Sequence, residues 1–330
     1  MQPFKYTRAT DVAGATRAVS ASNDAQFLGG GTNLLDLMRE GVEGPSELVD
    51  IAGLALTQIR SVDGGVSIGA LAKNTDTANH PLVRHNYPLL TQAILAGASP
   101  QIRNMATNGG NLMQRTRCTY FYDVSMPCNK RQPGSGCGAL EGINRNHAVF
   151  GWSDKCIAVH PSDMCVALLA LDAVVKVQDA AGNERSIPFA EFHRLPGDTP
   201  DVDNNLKHGE LITAIQLPKT NLGANSYYLK IRDRSSYAFA LVSVAAGLQI
   251  RGNVISEARI AMGGVAHKPW RAAEAEKYLL GKAANDENFK AAAEAEMKSA
   301  KPLEYNKFKV ELGKRAIVHA LRRAARNTST

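Results

Sequence analysis

Between about residues 112 and 160 the chain reads RTRCTYFYDVSMPCNKRQPGSGCGALEGINRNHAVFGWSDKCIAVHP and shows neither a helical nor a strand period. About fifty residues without hydrophobic periodicity cannot bury themselves, so inside a compact domain they need something else to hold them. Four of the five cysteines, Cys118, Cys128, Cys137 and Cys156, fall in this stretch, and the fifth, Cys165, follows closely. Nine, eight and eighteen residues separate the first four. No CxxC pair occurs, which excludes the spacings of zinc ribbons and bacterial ferredoxins. Four thiolates on one metal centre would staple such a loop, and disulfides or zinc are competing staples. Cys165 lies in MCVALLALDA, where a buried thiol acts as a small hydrophobe.

Regular structure is predicted on both sides. Residues 4 to 70 read as strand, helix, strand, helix, strand, with FKYTRA, DVAGATRAVS capped by Asp11, QFLGGG, a helix from near Asn33, and ELVDI. TQIRSVDGGVSIGAL carries Asp63-Gly64-Gly65 between alternating runs and predicts a hairpin. Helices are expected around 75–79 and 88–97, and another starts at an N-cap Ser162 and runs into strands near 173–179, 184–188 and 210–217. The polar turn residues of 218–224, PKTNLGA, mark a domain boundary. Beyond it come three long strands, SYYLKIRD, FALVSVAAGLQI and VISEARIAMGG, then helices near 269–280, 285–299 and 305–325.

The net charge of +7 comes from dispersed side chains with no basic run. Nucleic-acid binding needs clustered cations, so the charge points instead to a partner subunit or an anionic ligand. The amino terminus lacks the apolar core of a signal peptide, and no stretch of about 18 apolar residues offers a membrane span. The expectation is a soluble protein that is not exported on its own.

Two glycine-rich turns carry the clearest chemistry. In FLGGGTNLLDLM, three glycines between a strand and a helix let a ligand reach the backbone, and the helix N-terminus favours an anion. In QIRNMATNGGNLMQ, Gly109 and Gly110 stand between Asn108 and Asn111. Each could be a tight turn alone; together they suggest a diphosphate held from two sides. The pattern is neither GxGxxG nor a nucleotide-hydrolysing P-loop. Asp163 reads as a helix cap or an acceptor for a ligand hydroxyl. Lys230 shares a strand face with Arg232 and Arg234, as an exposed face would. No Ser-His-Asp order, HExxH or paired-carboxylate signature points to hydrolysis.

FLGGGTNLLDLM, QIRNMATNGGN, HPSD, KIRDRSSYAFALVSVAA and AMGGVAHKPWRAAEAE occur in an order that resembles the FAD-binding medium subunits of the molybdenum hydroxylases, the xanthine dehydrogenase and carbon monoxide dehydrogenase family. The resemblance runs over essentially the whole chain. In most of that family the GGN turn lies close to the SD pair, whereas here Asn111 and Ser162 are about fifty residues apart. The insertion resembles that of the flavin subunits of periplasmic aldehyde oxidoreductase and 4-hydroxybenzoyl-CoA reductase, where four cysteines bind a [4Fe-4S] cluster. RTRCTYFYD, PCNKRQPGSGC and LEGINRNHAVFG resemble the aldehyde oxidoreductase branch most closely.

The resemblance implies an α+β fold: a two-part FAD-binding domain of the vanillyl-alcohol oxidase type over 1–222, with an iron-sulfur insertion at 112–160, then a smaller domain over 223–330 with a three-stranded antiparallel sheet and helices. Leu28, Gly29, Gly30, Gly31, Thr32, Asn33 and Leu34 would wrap the FAD pyrophosphate, closed from the other side by Thr107, Gly109, Gly110 and Asn111. Asp163 would reach the cofactor, Ile212 would lie near the flavin and Lys230 near its isoalloxazine. Cys118, Cys128, Cys137 and Cys156 would ligate the [4Fe-4S] cluster. The implied role is an electron-transfer subunit of a heterotrimer, taking electrons from a molybdenum-cofactor large subunit through the [2Fe-2S] clusters of a small one, and passing them to an external acceptor. No acid, base or nucleophile is nominated, because the redox work belongs to the cofactor. Co-export with a signal-bearing partner would place it in the periplasm; without one it would be cytoplasmic. The rival readings are a free-standing flavin oxidoreductase of the same fold and a zinc-stapled interaction module.

Overall fold

The computed structural model describes residues 1–223 and 225–326. The expected boundary segment thus extends at its last residue, Ala224, outside the described residues. The chain opens with a parallel three-stranded sheet in which Glu47–Asp50 lies between Lys5–Arg8 and Ala25–Leu28. Parallel neighbours need a crossover, and the helix Val12–Ser20 supplies the first one, started by the Asp11 carboxylate accepting from Gly14 N–H at 2.7 Å. Ala15, Val19, Ala25 and Val49 bury the space between helix and sheet.

A five-stranded antiparallel sheet follows, ordered Ile59–Val62, Gly65–Gly69, Leu211–Pro218, Val174–Gln178, Glu184–Pro188. The hairpin expected at Asp63-Gly64 is present, with Gly64 at φ +80°. The adjoining core contains the helices Pro88–Ala96 and Asp163–Ala170. All eight residues of Asp163–Ala170 are buried, as an all-round apolar sequence requires. Ser162 caps it, its hydroxyl accepting from Cys165 N–H at 3.0 Å.

In the last third, Ser226–Ile231, Val242–Arg251 and Val254–Gly263 pair antiparallel. The expected three-stranded sheet has a fourth, two-residue strand, Trp270–Arg271, on the edge of Val254–Gly263. Too short to carry an alternating pattern, it left no signal in the sequence. Helices Ala273–Leu279, Asp286–Met297 and Phe308–Arg326 follow, and the last packs across Val242–Arg251.

The aperiodic segment folds without strands. Its regular structure is one turn, Thr119–Tyr122, plus isolated bridges at Cys128–Cys137 and Ser153–Cys156. It nevertheless belongs to two packing units. Val149 and Phe150 enter the C-terminal core, while Phe121 and Cys128 pack on Leu37 beside the first glycine turn. No helix among the described residues is long and apolar enough to cross a membrane.

Candidate functional site

The two glycine-rich turns meet. A Cβ on Gly30 would stand 2.1 Å from the Met105 carbonyl oxygen, and one on Gly29 would stand 3.1 Å from Thr107 Oγ1. Gly31 takes φ +72°, a left-handed conformation that favours glycine. The second turn is the start of the short helix Asn108–Leu112, capped by Thr107 Oγ1, which accepts from Gly110 N–H at 3.1 Å. Glycine is therefore needed first for the turns to approach each other, and the approach leaves a backbone-lined recess beside them.

That recess is a cavity of about 490 Å³, within the range of small-molecule and cofactor sites. Leu28, Gly29, Gly30, Gly31, Thr32, Asn33 and Leu34 line it, as do Thr107, Gly109, Gly110 and Ile212. Side chains that would fill the cradle are missing along both turns. Glu43, Arg115, Asp203 and Glu210 also line it, and Arg115 bridges two of these carboxylates through Nε to Asp203 at 2.9 Å and Nη1 to Glu43. The charges of Lys130 and Arg115 hold the Asp203 carboxyl well below the usual carboxylate range against the penalty of its burial.

Three of the expected flavin contacts, Asn111, Asp163 and Lys230, are not among the lining residues; Asp163 and Lys230 pair with each other, and Asn111 bonds to Ser162 and Asn74. Asp163 accepts from Lys230 Nζ at 2.8 Å and from the Tyr228 hydroxyl at 2.6 Å. The Lys230 and Asp163 side chains are 5% and 7% exposed. Asp163 is thus an ion-pair partner inside the first turn, and the cap belongs to Ser162. The exposed basic face expected for Lys230, Arg232 and Arg234 is not formed, because the strand ends at Ile231. Arg234 instead folds back to donate to Tyr237 O. Asn111 accepts from Ser162 Oγ at 2.5 Å and donates through Nδ2 to Asn74 at 2.8 Å, fastening the second glycine turn to the Asp163 helix.

Cys118, Cys128, Cys137 and Cys156 line one small cavity together with Tyr120, Lys130 and His147. None of the five cysteines is in a disulfide, so the loop is not stapled that way. Burial pushes the Cys118 thiol up to about 12 and the Cys156 thiol up to about 11. Cys118 Sγ lies 3.1 Å from His147 Nε2 and Cys156 Sγ accepts from Ala158 N–H at 3.5 Å; a cationic centre in the cavity would convert the thiols to thiolates and complete an all-sulfur donor set. Among the described residues the one group of three histidine, cysteine or carboxylate ligand atoms gathered within 4.8 Å is His160, Cys165 and His193.

Comparisons with known proteins place this arrangement. The family model described as the FAD binding domain in molybdopterin dehydrogenase matches residues 2–220, and the CO dehydrogenase flavoprotein C-terminal domain matches 227–328. The chain belongs to the FAD-binding medium subunits of the molybdenum hydroxylases. The aldehyde oxidoreductase FAD-binding subunit PaoB of Escherichia coli is 50% identical over 325 residues, 98% of this chain and 99% of that one. The glyceraldehyde dehydrogenase medium chain of Sulfolobus acidocaldarius is 30% identical, covering 86% of this chain and 83% of its own length. Among solved structures, carbon monoxide dehydrogenase from Hydrogenophaga pseudoflava aligns over 99% of this chain and 98% of the matched one, with a TM-score of 0.78 and 25% identity. This chain is accordingly an FAD-binding subunit of a multi-subunit oxidoreductase.

Some features of this FAD-binding subunit had no sequence signal. His160 and His193 lie with ring centroids 4.3 Å apart, contributed by segments more than thirty residues apart in sequence. His193 Nε2 donates to Leu112 O at 2.9 Å, leaving its buried Nδ1 as a lone pair. His160 Nδ1 accepts from Ser162 N–H at 3.3 Å, which leaves the proton on its buried Nε2. A metal needs a lone pair from each, and this pair offers one lone pair and one N–H. It is a pair of packed rings beside Cys165, each with one buried nitrogen that has no hydrogen-bond partner, and not a ligand set. Arg115, Lys130 and Asp203 were equally silent, because what unites them is an ion-pair chain across about ninety residues of sequence.

Proposed function

We propose that this chain is the FAD- and [4Fe-4S]-binding electron-transfer subunit of an aldehyde-oxidising molybdenum hydroxylase. It would work as a heterotrimer with a molybdenum-cofactor large subunit and a [2Fe-2S] small subunit, reaching the periplasm by export with a signal-bearing partner. The observation that carries this reading is that four thiols, scattered through an aperiodic insertion, gather around one cavity adjoining the flavin cavity. The 50% identical relative is an aldehyde oxidoreductase FAD-binding subunit, which supports the substrate class.

FAD supplies the exchange between single-electron delivery and a two-electron acceptor. The chain's own part is binding and placement. The glycine turns around Gly30 and Gly109 would take the pyrophosphate against the backbone, with Thr107 pinning the second turn. Ile212 gives the cavity an apolar wall, and Arg115, held between Glu43 and Asp203, sets its local charge. Asn111, Asp163 and Lys230 act one step behind, fixing the helix and strand that frame the cavity. Cys118, Cys128, Cys137 and Cys156 would each give one thiolate to the cluster. The working division places the FAD-binding domain at 1–222 and the smaller domain at 223–330.

The test separates the two cofactors. In the purified complex, Cys128→Ser is expected to lose iron from this chain while retaining FAD at reduced occupancy. Gly30→Val, which drives a side chain into the Met105 carbonyl, is expected to lose FAD while retaining iron. A wild-type chain that is colourless, carries zinc and contains no flavin, iron or sulfide would overturn the reading.

A further inference from the structure

The two cavities are joined by a continuous run of polar contacts, buried at Lys130 and partly buried at Asp203 and Arg115. Lys130 follows Cys128 by two residues, in a turn where the Arg131 and Gln132 N–H groups donate to the Cys128 carbonyl at 3.0 and 2.8 Å. Its side chain is 1% exposed. It lines the cysteine cavity, yet its ammonium points away to donate to Pro200 O at 2.7 Å and to Asp203 Oδ1. Asp203 lines the flavin cavity, and its other oxygen accepts from Arg115 Nε at 2.9 Å. Arg115 returns to the loop through Nη2 to the Lys130 carbonyl at 3.3 Å, and its backbone N–H donates to Asn33 Oδ1 at 2.9 Å. Asn33 belongs to the first glycine turn, so the chain of contacts runs from a cysteine turn to the wall of the flavin cavity.

We propose that Lys130, Asp203 and Arg115 are positioning residues that couple the two sites, so that filling the cysteine cavity tightens the hold of the other cavity on FAD. The inference rests on the function proposed above. An emptied cysteine site removes the bonds that would tie the Cys128 turn to Cys118, Cys137 and Cys156, and leaves that turn with its own hydrogen bonds and its packing on Leu37 and Phe121. Lys130 then loses its fixed place, Asp203 loses one of its two cationic partners, and the Arg115 contact that anchors Asn33 loosens. Breaking one member of a buried ion pair leaves the other uncompensated, which is the costly outcome. Linkage makes the effect reciprocal: bound FAD must raise the retention of iron by the same factor.

The experiment is FAD titration by quenching of flavin fluorescence, on the full chain, with and without iron removed by an anaerobic chelator. Wild type and Lys130→Met are compared, because methionine keeps the stem and removes the charge. Iron removal is expected to weaken FAD binding of wild type by at least about tenfold, the scale of a typical coupling. Iron-loaded Lys130→Met is expected to bind FAD about as weakly as iron-free wild type, with little further loss when its iron is removed. Lys130→Arg should retain most of the coupling. Should Lys130→Met fail to fold, Asp203→Asn makes the same comparison from the other end of the pair. Equal weakening of both proteins on iron removal, or no weakening in either, would overturn the coupling while leaving the two cofactor assignments standing. A wild-type chain that takes up neither FAD nor iron would remove the function reading itself.

Discussion

Asp163 and Lys230 show what a single residue's place in sequence leaves unsaid. Their positions in the HPSD and KIRDR motifs mark them for cofactor contact; the structure adds that, 67 residues apart in sequence, they meet as a buried ion pair completed by Tyr228. The period-two pattern of Lys230, Arg232 and Arg234 looked like a solvated face because sequence carries no record of which carboxylate lies opposite. Lys230→Met strands the Asp163 carboxylate with one hydroxyl donor, and removing one partner of a buried pair costs about 3–5 kcal/mol. Urea unfolding of the cofactor-free chain should show this loss, and the double variant Asp163→Asn with Lys230→Met should recover part of it. A loss below about 1 kcal/mol, the size typical of exposed pairs, would contradict the buried-pair account. Gly30 was legible for the right residue type and an incomplete reason, since its hydrogen faces Met105 O as well as the recess.

At the scale of elements, local signals were faithful wherever an element was long or capped. Asp11 and Ser162 both cap helices where expected, and the three C-terminal helices stand near their expected bounds. The failures were short pieces: Pro81–Asn86, Pro100–Arg103 and Phe189–Phe192 span six residues or fewer, too few to display a 3.6-residue period. Asn108–Leu112 read as a turn because Gly-Gly weakens helix propensity, and Thr107 overrides that by satisfying the Gly110 N–H. Ser162 also has a second task, donating to Asn111 while it caps. Ser162→Ala should therefore cost more than an ordinary cap, about 2 kcal/mol or above, and should weaken FAD binding by loosening Asn111. A cost confined to stability with unchanged FAD affinity would show that the Asn111 link does not support the cavity.

Across the whole molecule, the insertion is the mortar between the other parts. Val149 and Phe150 N–H groups both donate to Val265 O in the C-terminal unit, at 2.8 and 3.0 Å. The buried Lys309 ammonium donates back to the His147 carbonyl at 3.0 Å and to Gly264 O at 2.7 Å. Toward the other side, Arg115 and Lys130 reach the flavin cavity. The sequence could show that this stretch needed a holder, since absent periodicity is visible in any window. It could not show that the stretch was a bridge, because each end of every bridging contact lies far away along the chain. Removing the holder should therefore disturb both neighbours, and the content of the cysteine cavity is the centre of the account. The most direct measurement is anaerobic quantification of iron, acid-labile sulfide, zinc and flavin per purified chain, paired with electron paramagnetic resonance after reduction. The account expects one FAD with about four irons and four sulfides, with the iron and its signal lost in Cys128→Ser. One zinc per chain, no sulfide and no signal in the reduced protein would contradict it.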